Sequence, residues 1–170
     1  MRMSGFLLKG TPLPTYGWLP RVGSTCDLKG KEEPMSYEIR VQVNCPICNG
    51  SLMEPGVQVD ALDSILFLAK VGSSRGHLYL SQIYGSYSKI FKHVDDLIGS
   101  VVECACPRCN APFPVVGSCK CKAPIIALNL KDGGKINVCT RNGCKKHSLE
   151  FEDINAAFSL FQNQDRTGLF

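Results

Sequence analysis

Alternating polar and apolar positions first become regular at residues 37–43, YEIRVQV, which predicts a β-strand. Glu54-Pro-Gly56 is predicted to end the next short strand, because proline interrupts a ladder of hydrogen bonds. Residues 57–103 then contain four or five β-rich segments separated by Gly, Ser and Asp. Of these, residues 64–71 are the most continuously apolar, as is typical of a central strand. The pattern predicts a small antiparallel sheet or sandwich.

The two ends of the chain follow different patterns. Residues 1–34 are rich in Pro and Gly without helical or strand periodicity, which predicts a poorly ordered arm. Because the patterned region begins just after Met35, one hypothesis is that translation starts there. Residues 147–151 predict a last strand, and Asp153 is typical of an N-cap. A short amphipathic helix should follow, with apolar residues at helical spacing: Ile154, Ala157, Phe158 and Phe161. We therefore expect one domain at residues 35–165 and a tail at 166–170.

Composition narrows the class of protein. The chain has 170 residues, 44% of them hydrophobic, and a formal net charge of +4. These values are compatible with a hydrophobic core of moderate size and an ordinary surface. Nothing indicates a membrane span, disorder or a strongly basic nucleic-acid binder. The apolar run at residues 5–8 is too short for a secretory signal, since Lys9, Gly10 and Pro12 interrupt it. We expect a soluble cytoplasmic protein with no membrane contact.

Eight of the ten cysteines fall into close pairs, and these pairs are the strongest indication of function in the sequence. The pairs are Cys45/Cys48, Cys106/Cys109, Cys119/Cys121 and Cys139/Cys144. A tight turn can direct two sulfurs at one metal ion, and two such turns complete a tetrahedron. The count predicts two four-thiolate sites, each holding one Zn²⁺. Six cations beside the ligands would compensate the thiolate charge: Arg108, Lys120, Lys122, Arg141, Lys145 and Lys146.

Two of the pairs have the form Cys-Pro-x-Cys-Asn, at Cys45 and at Cys106. This motif resembles the knuckle of the zinc-ribbon and rubredoxin superfamily. The resemblance implies backbone N–H groups directed at the sulfurs and a left-handed residue after the second cysteine. The other two pairs depart from it, because Cys119-Lys-Cys121 is one residue shorter and Cys139/Cys144 is longer. The predicted fold is mainly β: a small zinc-stapled protein with two zinc-ribbon-type sites, an inserted antiparallel sheet at residues 57–103 and a short C-terminal helix.

Which pairs share a metal ion stays open at this point. A nested arrangement would join Cys106/Cys109 to Cys119/Cys121 across a nine-residue hairpin, and the outer pairs would close a second site. The sequential arrangement joins Cys119/Cys121 to Cys139/Cys144 across the predicted hairpin IIALNL-KDGG-KINV. Loop-closure entropy favours the nested arrangement only slightly, since it grows slowly with loop length. Cys104 and His147 are possible substitute ligands, and Cys26 has no nearby partner.

Other uses of cysteine were weighed against structural zinc. A reducing compartment disfavours disulfides. Thiol redox catalysis would need the CPxC motif to open a helix, whereas turn residues follow both motifs. Iron at a four-cysteine site is not excluded by the sequence.

A mixture of cations and aromatic rings marks a possible binding surface, although tyrosine also fits an ordinary pleated sheet. It consists of Arg75, His77, Tyr79, Tyr84, Tyr87, Lys89 and Lys92. No phosphate loop, GxSxG or HExxH motif is present, so we expect no enzyme and assign no catalytic residue. The sequence favours an accessory or adaptor protein that acts through protein–protein contacts in a larger complex. The alternatives are a zinc-ribbon module that binds nucleic acid and an electron-transfer protein with iron.

Overall fold

The structure is a computed structural model that describes residues 38–152, 155 and 157–159. The predicted arm at residues 1–34, with Cys26, lies outside the described residues, as do Asp153, Ile154, Phe161 and the tail at 166–170. Within the described part of the chain, no helix is long and apolar enough to cross a membrane.

The described residues are mainly β, as predicted, and their strands form two antiparallel sheets. The strands are β1 (Val43–Asn44), β2 (Met53–Val59), β3 (Leu62–Val71), β4 (Ser74–Leu80), β5 (Lys89–Lys92), β6 (Glu103–Ala105), β7 (Val115–Ser118), β8 (Pro124–Leu130), β9 (Lys135–Cys139) and β10 (His147–Glu150). Asn155 and 157–159 are helical, which agrees with the predicted C-terminal helix.

The first sheet in the chain is the predicted insertion, and β3 is its central strand. β4 pairs with one edge of β3, while β2 and β6 follow each other along the other edge. β5 extends the sheet beyond β4. Alternate residues of β3 are buried, from Ile65 through Phe67 and Ala69 to Val71. The continuous apolar run therefore became a central strand with one face in the core.

The second sheet is built on the β8–β9 hairpin, which the sequence predicted. β9 pairs with one edge of β8, and β1 and β7 occupy different stretches of the other edge. β10 completes the sheet beside β9. A single apolar core contains residues of both sheets, and Phe67 of β3 contacts Phe113 edge-to-face with ring centroids 4.9 Å apart. Aromatic pairs of this geometry add to the free energy gained by burial.

Two predicted strand boundaries were wrong. Of the described residues 38–43 in this predicted strand, only Val43 belongs to a regular strand; those before it pair with the irregular segment 82–84, where Val41 N–H donates to the Gln82 carbonyl at 2.8 Å. An irregular partner cannot form a continuous ladder. Glu54-Pro-Gly56 does not end a strand either, because β2 runs through it to Val59. The register shifts between Glu54 and Gln58, so the proline lies in a bulge, where its missing N–H leaves no ladder bond unmade.

Candidate metal centres

The eight paired cysteines converge in two groups of four. The first site consists of Cys45, Cys48, Cys106 and Cys109, and the second site of Cys119, Cys121, Cys139 and Cys144. Within each group all four sulfurs lie within 4.8 Å of one another. The prediction of two four-cysteine groups that could hold metal ions is confirmed.

The nested arrangement of the pairs was wrong, and the sequential one is present. The β8–β9 hairpin places Ile125 opposite Cys139, which brings the Cys119/Cys121 turn against the end of β9. The first two knuckles meet directly, because Arg108 Nε donates to the carbonyl of Ser51 at 2.8 Å. Sheet register therefore decided the pairing, which loop-closure entropy could not.

The two knuckles of the first site have the same backbone geometry. Ile47 N–H approaches Cys45 Sγ at 3.4 Å, and Arg108 N–H approaches Cys106 Sγ at 3.3 Å. Both knuckles end on a left-handed asparagine, Asn49 with φ 54° and Asn110 with φ 58°. This matches what the resemblance implied. Directed N–H groups stabilise thiolate charge, so each turn is preorganised to present sulfur to a cation.

The second site uses a shortened turn and a lengthened one. Lys122 N–H donates to the Cys119 carbonyl at 2.8 Å, one residue earlier than in the first site, and Lys122 takes the left-handed position with φ 67°. On the opposite side, Cys144 N–H donates to the Arg141 carbonyl at 3.0 Å, and Gly143 has φ 88°. The residues between Cys139 and Cys144 thus form a closed loop that returns the chain to the site.

The distances between sulfurs fit a single tetrahedral ion. They are 3.9 Å for Cys45 to Cys109, 3.9 Å for Cys48 to Cys106, 3.8 Å for Cys119 to Cys144 and 3.4 Å for Cys121 to Cys139. A metal–sulfur bond of about 2.3 Å places tetrahedral ligands about 3.8 Å apart. A disulfide needs about 2.05 Å, and the nine described cysteines are free. A polynuclear iron–sulfur cluster would insert several atoms between the thiolates and separate them further.

The pKa values of the thiols differ within each site. Burial raises the pKa of Cys106, but the backbone N–H groups of Cys109 and Arg108 outweigh it and lower this pKa from 9.0 to about 7. In the second site, the backbone N–H of Ala123 is the largest influence on Cys121 and lowers its pKa to about 6. Burial raises the pKa of Cys139 to about 12. A metal ion would have to displace protons from the remaining thiols, so metal affinity should rise with pH.

Both proposed substitute ligands lie outside the two groups. Cys104 is in β6, its Sγ lies 3.6 Å from the Val102 carbonyl, and burial raises the pKa of its thiol to about 12. The ring of His147 is instead enclosed by aromatic rings: its centroid is 4.5 Å from that of Tyr84 and 5.1 Å from that of Tyr87.

The predicted binding surface is not one surface. Lys92 Nζ lies 5.0 Å from the ring centroid of Tyr79, whose side chain is buried, and His77 is 6.2 Å from the same ring. Tyr84, Tyr87 and Lys89 instead lie in or beside the connection from β4 to β5, toward His147. Alternation along β4 puts Tyr79 and Leu78 on opposite faces, yet both are buried, and Lys92 lies over the Tyr79 ring.

Sequence reasoning missed the residues that hold the second-site loop in place. Thr140 Oγ1 donates to the Pro124 carbonyl at 3.0 Å, and Asn142 Nδ2 donates to Asp96 Oδ1 at 2.6 Å. Arg141 Nη2 also donates to the Cys121 carbonyl at 3.0 Å, so the cation lies against the site. The Asn142-Gly143 dipeptide is a turn signal that could have indicated this loop.

No protein-family model, curated protein or solved structure matches this chain.

Proposed function

We propose that both sites bind Zn²⁺ and that the ions are structural. Cys45, Cys48, Cys106 and Cys109 would hold one ion, and Cys119, Cys121, Cys139 and Cys144 the other. The observation that supports this most is the set of sulfur-to-sulfur distances, which are close to a tetrahedral edge in both groups. Zinc would supply cross-links between turns that are distant in sequence, and its binding free energy would contribute to folding.

Four thiolates close the coordination sphere of a zinc ion. Catalytic zinc sites keep a position open for water or substrate and rely on histidine or carboxylate ligands. Each group here offers four sulfurs, and neither includes a histidine or a carboxylate among the described residues. A structural role therefore fits the donor set better than catalysis does.

We further infer that the protein acts through contacts with another protein, as an accessory or adaptor subunit in a reducing compartment. Support comes from large apolar side chains exposed next to the metal sites. Ile47 is 59% exposed within the first knuckle, and Ile98 is 88% exposed. The segment that carries Ile98 is tied to the second-site loop, since Gly99 N–H donates to the Asn142 carbonyl at 2.9 Å. Leu97 beside Ile98 is 57% exposed as well, and adjacent exposed apolar side chains of this kind are typical of interaction sites.

Metal analysis with an absorption spectrum, on protein purified without oxygen, tests the metal. We expect two zinc ions per chain and no visible colour. If the protein instead contains one or two iron ions and has a red or brown spectrum, the structural role would be rejected in favour of electron transfer, because a single iron ion fits the same four thiolates. A folded protein with no metal would contradict both.

Single substitutions test which cysteines are ligands. Cys48→Ser should lower the zinc content from two ions to one, because three thiolates hold zinc less tightly than four. Cys104→Ser is the matched control, and we expect it to keep two ions. The double variant Cys48→Ser with Cys109→Ser should still keep one ion, whereas Cys48→Ser with Cys121→Ser should keep none. Zinc lost from Cys104→Ser, or one ion kept by the second double variant, would contradict the assignment.

The contact role predicts a partner whose binding depends on exposed apolar residues. Ile98→Asp should abolish capture of that partner and leave two zinc ions bound, whereas Lys135→Glu, a charge change at an exposed position of β9, should leave capture intact. A salt-dependent affinity for a single-stranded oligonucleotide, unaffected by Ile98→Asp, would instead favour the nucleic-acid alternative.

A further inference from the structure

A cavity of about 300 Å³ lies where the two sheets meet. Native cores contain few voids larger than a water molecule. An engineered apolar cavity of about 150 Å³ is already large enough to bind benzene, and natural ligand pockets begin at about 300 Å³. The volume is therefore that of a binding pocket rather than a packing defect.

The wall of the pocket is apolar and comes from both sheets. Leu78, Leu80 and Phe91 line it from the sheet centred on β3, and Leu128, Ile136 and Val138 from the sheet centred on β8. Most polar lining residues belong to residues 84–89 and 140–147, so the strand residues of the wall offer a ligand little beyond burial of apolar surface.

The opening lies between two segments. The tyrosine segment, residues 84–89, and the cation segment, residues 141–147, supply the exposed residues of the lining. Tyr87 joins them, because its hydroxyl donates to the Lys145 carbonyl at 3.2 Å and its ring lies against His147. Aromatic rings and cations thus surround the entrance while hydrocarbon lines the interior.

The charged side chains of the described lining are all cations, while two aspartates outside it accept hydrogen bonds from lining residues, Asp60 from Ser86 and Asp96 from Asn142. The described lining includes Lys89, Arg141, Lys145 and Lys146 and no aspartate or glutamate. Two adjacent lining residues also keep a buried polar atom without a hydrogen-bond partner, Arg141 Nε and Asn142 Oδ1. Asn142 is only 6% exposed. Buried polar atoms are normally paired, so the N–H at Arg141 Nε is free to donate to an acceptor that the chain itself does not supply, such as a carboxylate, whereas Asn142 Oδ1 would need a donor such as water.

We propose that the pocket binds a single-chain amphiphile with an aliphatic tail of roughly eight to ten carbons and a carboxylate head group. The tail lies among the aliphatic residues of the two sheets, and the head group lies at the cation segment. This proposal goes beyond the metal-binding and contact roles and holds for zinc or iron at the two sites.

Titration of the full-length, metal-loaded chain with defined amphiphiles tests the proposal. We expect decanoate to bind one-to-one in calorimetry and to shift backbone amide signals of pocket residues. Butyrate should bind far more weakly, because each methylene removed costs about four-fold in affinity. Decyltrimethylammonium has a similar tail but a cationic head, and we expect it to bind at least ten-fold more weakly than decanoate.

Two pairs of variants separate pocket binding from adsorption to the surface. Val138→Phe fills the pocket and should abolish decanoate binding, whereas Val116→Phe, the same change at an exposed position of β7 outside the lining, should leave it intact. Lys89→Gln with Lys146→Gln should weaken decanoate binding about three- to ten-fold without changing the affinity for decanol. Lys92→Gln with Lys135→Gln, a matched pair outside the lining, should change neither.

Metal content and circular dichroism check that each variant is folded, and Leu80→Phe, on the opposite sheet, replaces Val138→Phe if that variant does not fold. Absence of saturable decanoate binding would overturn the proposal. Binding that survives both filling variants would overturn it as well, and so would equal affinity for decanoate and decyltrimethylammonium.

Discussion

Asn49 and Asn110 occupy equivalent places in two knuckles that lie 61 positions apart in the chain, with φ values of 54° and 58°. Asparagine adopts this left-handed conformation more readily than other non-glycine residues, because its short side chain can hydrogen-bond locally. The resemblance of the two motifs to a zinc-ribbon knuckle implied this detail, and the backbone at both positions agrees with it.

Substitution at Asn49 tests that local requirement. Asn49→Ala should lower the free energy of unfolding of the metal-loaded protein by about 1 kcal/mol, since alanine is strained at positive φ. Asn49→Gly should be nearly neutral, because glycine has no Cβ. Denaturant unfolding measures both. An equal loss for the two variants would show that the amide group, rather than the backbone conformation, is required.

His147 provides a pH-dependent prediction at the same scale. Burial, followed by repulsion from Lys146, lowers the pKa of His147 below 6.5. The rings of Tyr84 and Tyr87 enclose it, and Lys145 lies over Tyr87, so no described carboxylate is in direct contact with it. As pH falls below 6.5, the unfolded chain takes up the proton first, and folding stability therefore decreases across that window.

An NMR titration of His147 should accordingly give a midpoint below 6.5. Lys146→Gln should move the midpoint upward without restoring 6.5, because burial persists. A midpoint at His147 that is unmoved by the substitution would contradict the assigned repulsion.

β3 is the element on which the inserted sheet depends. It pairs with three strands and carries Phe67, which is 1% exposed and packs on Phe113. Phe67→Ala should destabilise the protein by about 3–5 kcal/mol through lost burial and a residual cavity. Phe158→Ala removes the same ring from a side chain that is 56% exposed and should change stability by less than about 0.5 kcal/mol. Thermal and denaturant unfolding distinguish the two, and similar losses would show that Phe67 is not central to the core.

The contrast between β3 and β2 shows what pattern reasoning can predict for an element. The apolar run in β3 predicted a central strand because it has the length of a strand and its apolar side chains require burial. The continuation of β2 through Pro55-Gly56 was not predictable, because a bulge depends on which residues the partner strand offers. Tyr79 is a similar case, since the residue that lies over its ring, Lys92, comes from β5.

At the scale of the whole molecule, the two sites close loops of different length. Cys48 and Cys106 of the first site are 58 positions apart, and Cys121 and Cys139 of the second are 18 apart. Loop-closure entropy grows by about 0.6 kcal/mol for each doubling of length, so the longer loop should contribute about 1 kcal/mol more. We expect Cys48→Ser to lower the unfolding free energy by more than Cys121→Ser does. Denaturant unfolding in excess zinc measures the difference, and a larger loss for Cys121→Ser would contradict the loop-length argument.

The partition of the eight cysteines marks the limit of prediction from sequence at this scale. The ligand pairs were predictable because each is a local turn. Their combination was not, because it follows from the β8–β9 register and from the meeting of Arg108 with Ser51 across the fold. The pocket could not be predicted from the sequence either, because its wall combines residues such as Leu80 and Val138 that no local sequence pattern connects.

The loop from Cys139 to Cys144 belongs to two features at once, because it carries two of the four cysteines of the second site and also lines the pocket. If metal binding or ligand binding orders this loop, the second of the two binding events costs less conformational entropy. Equilibrium coupling of this kind is reciprocal: a ligand that raises the affinity for metal by some factor has its own affinity raised by the same factor. We therefore expect the metal content of the second site to depend on the occupancy of the pocket, and the occupancy of the pocket to depend on the metal content.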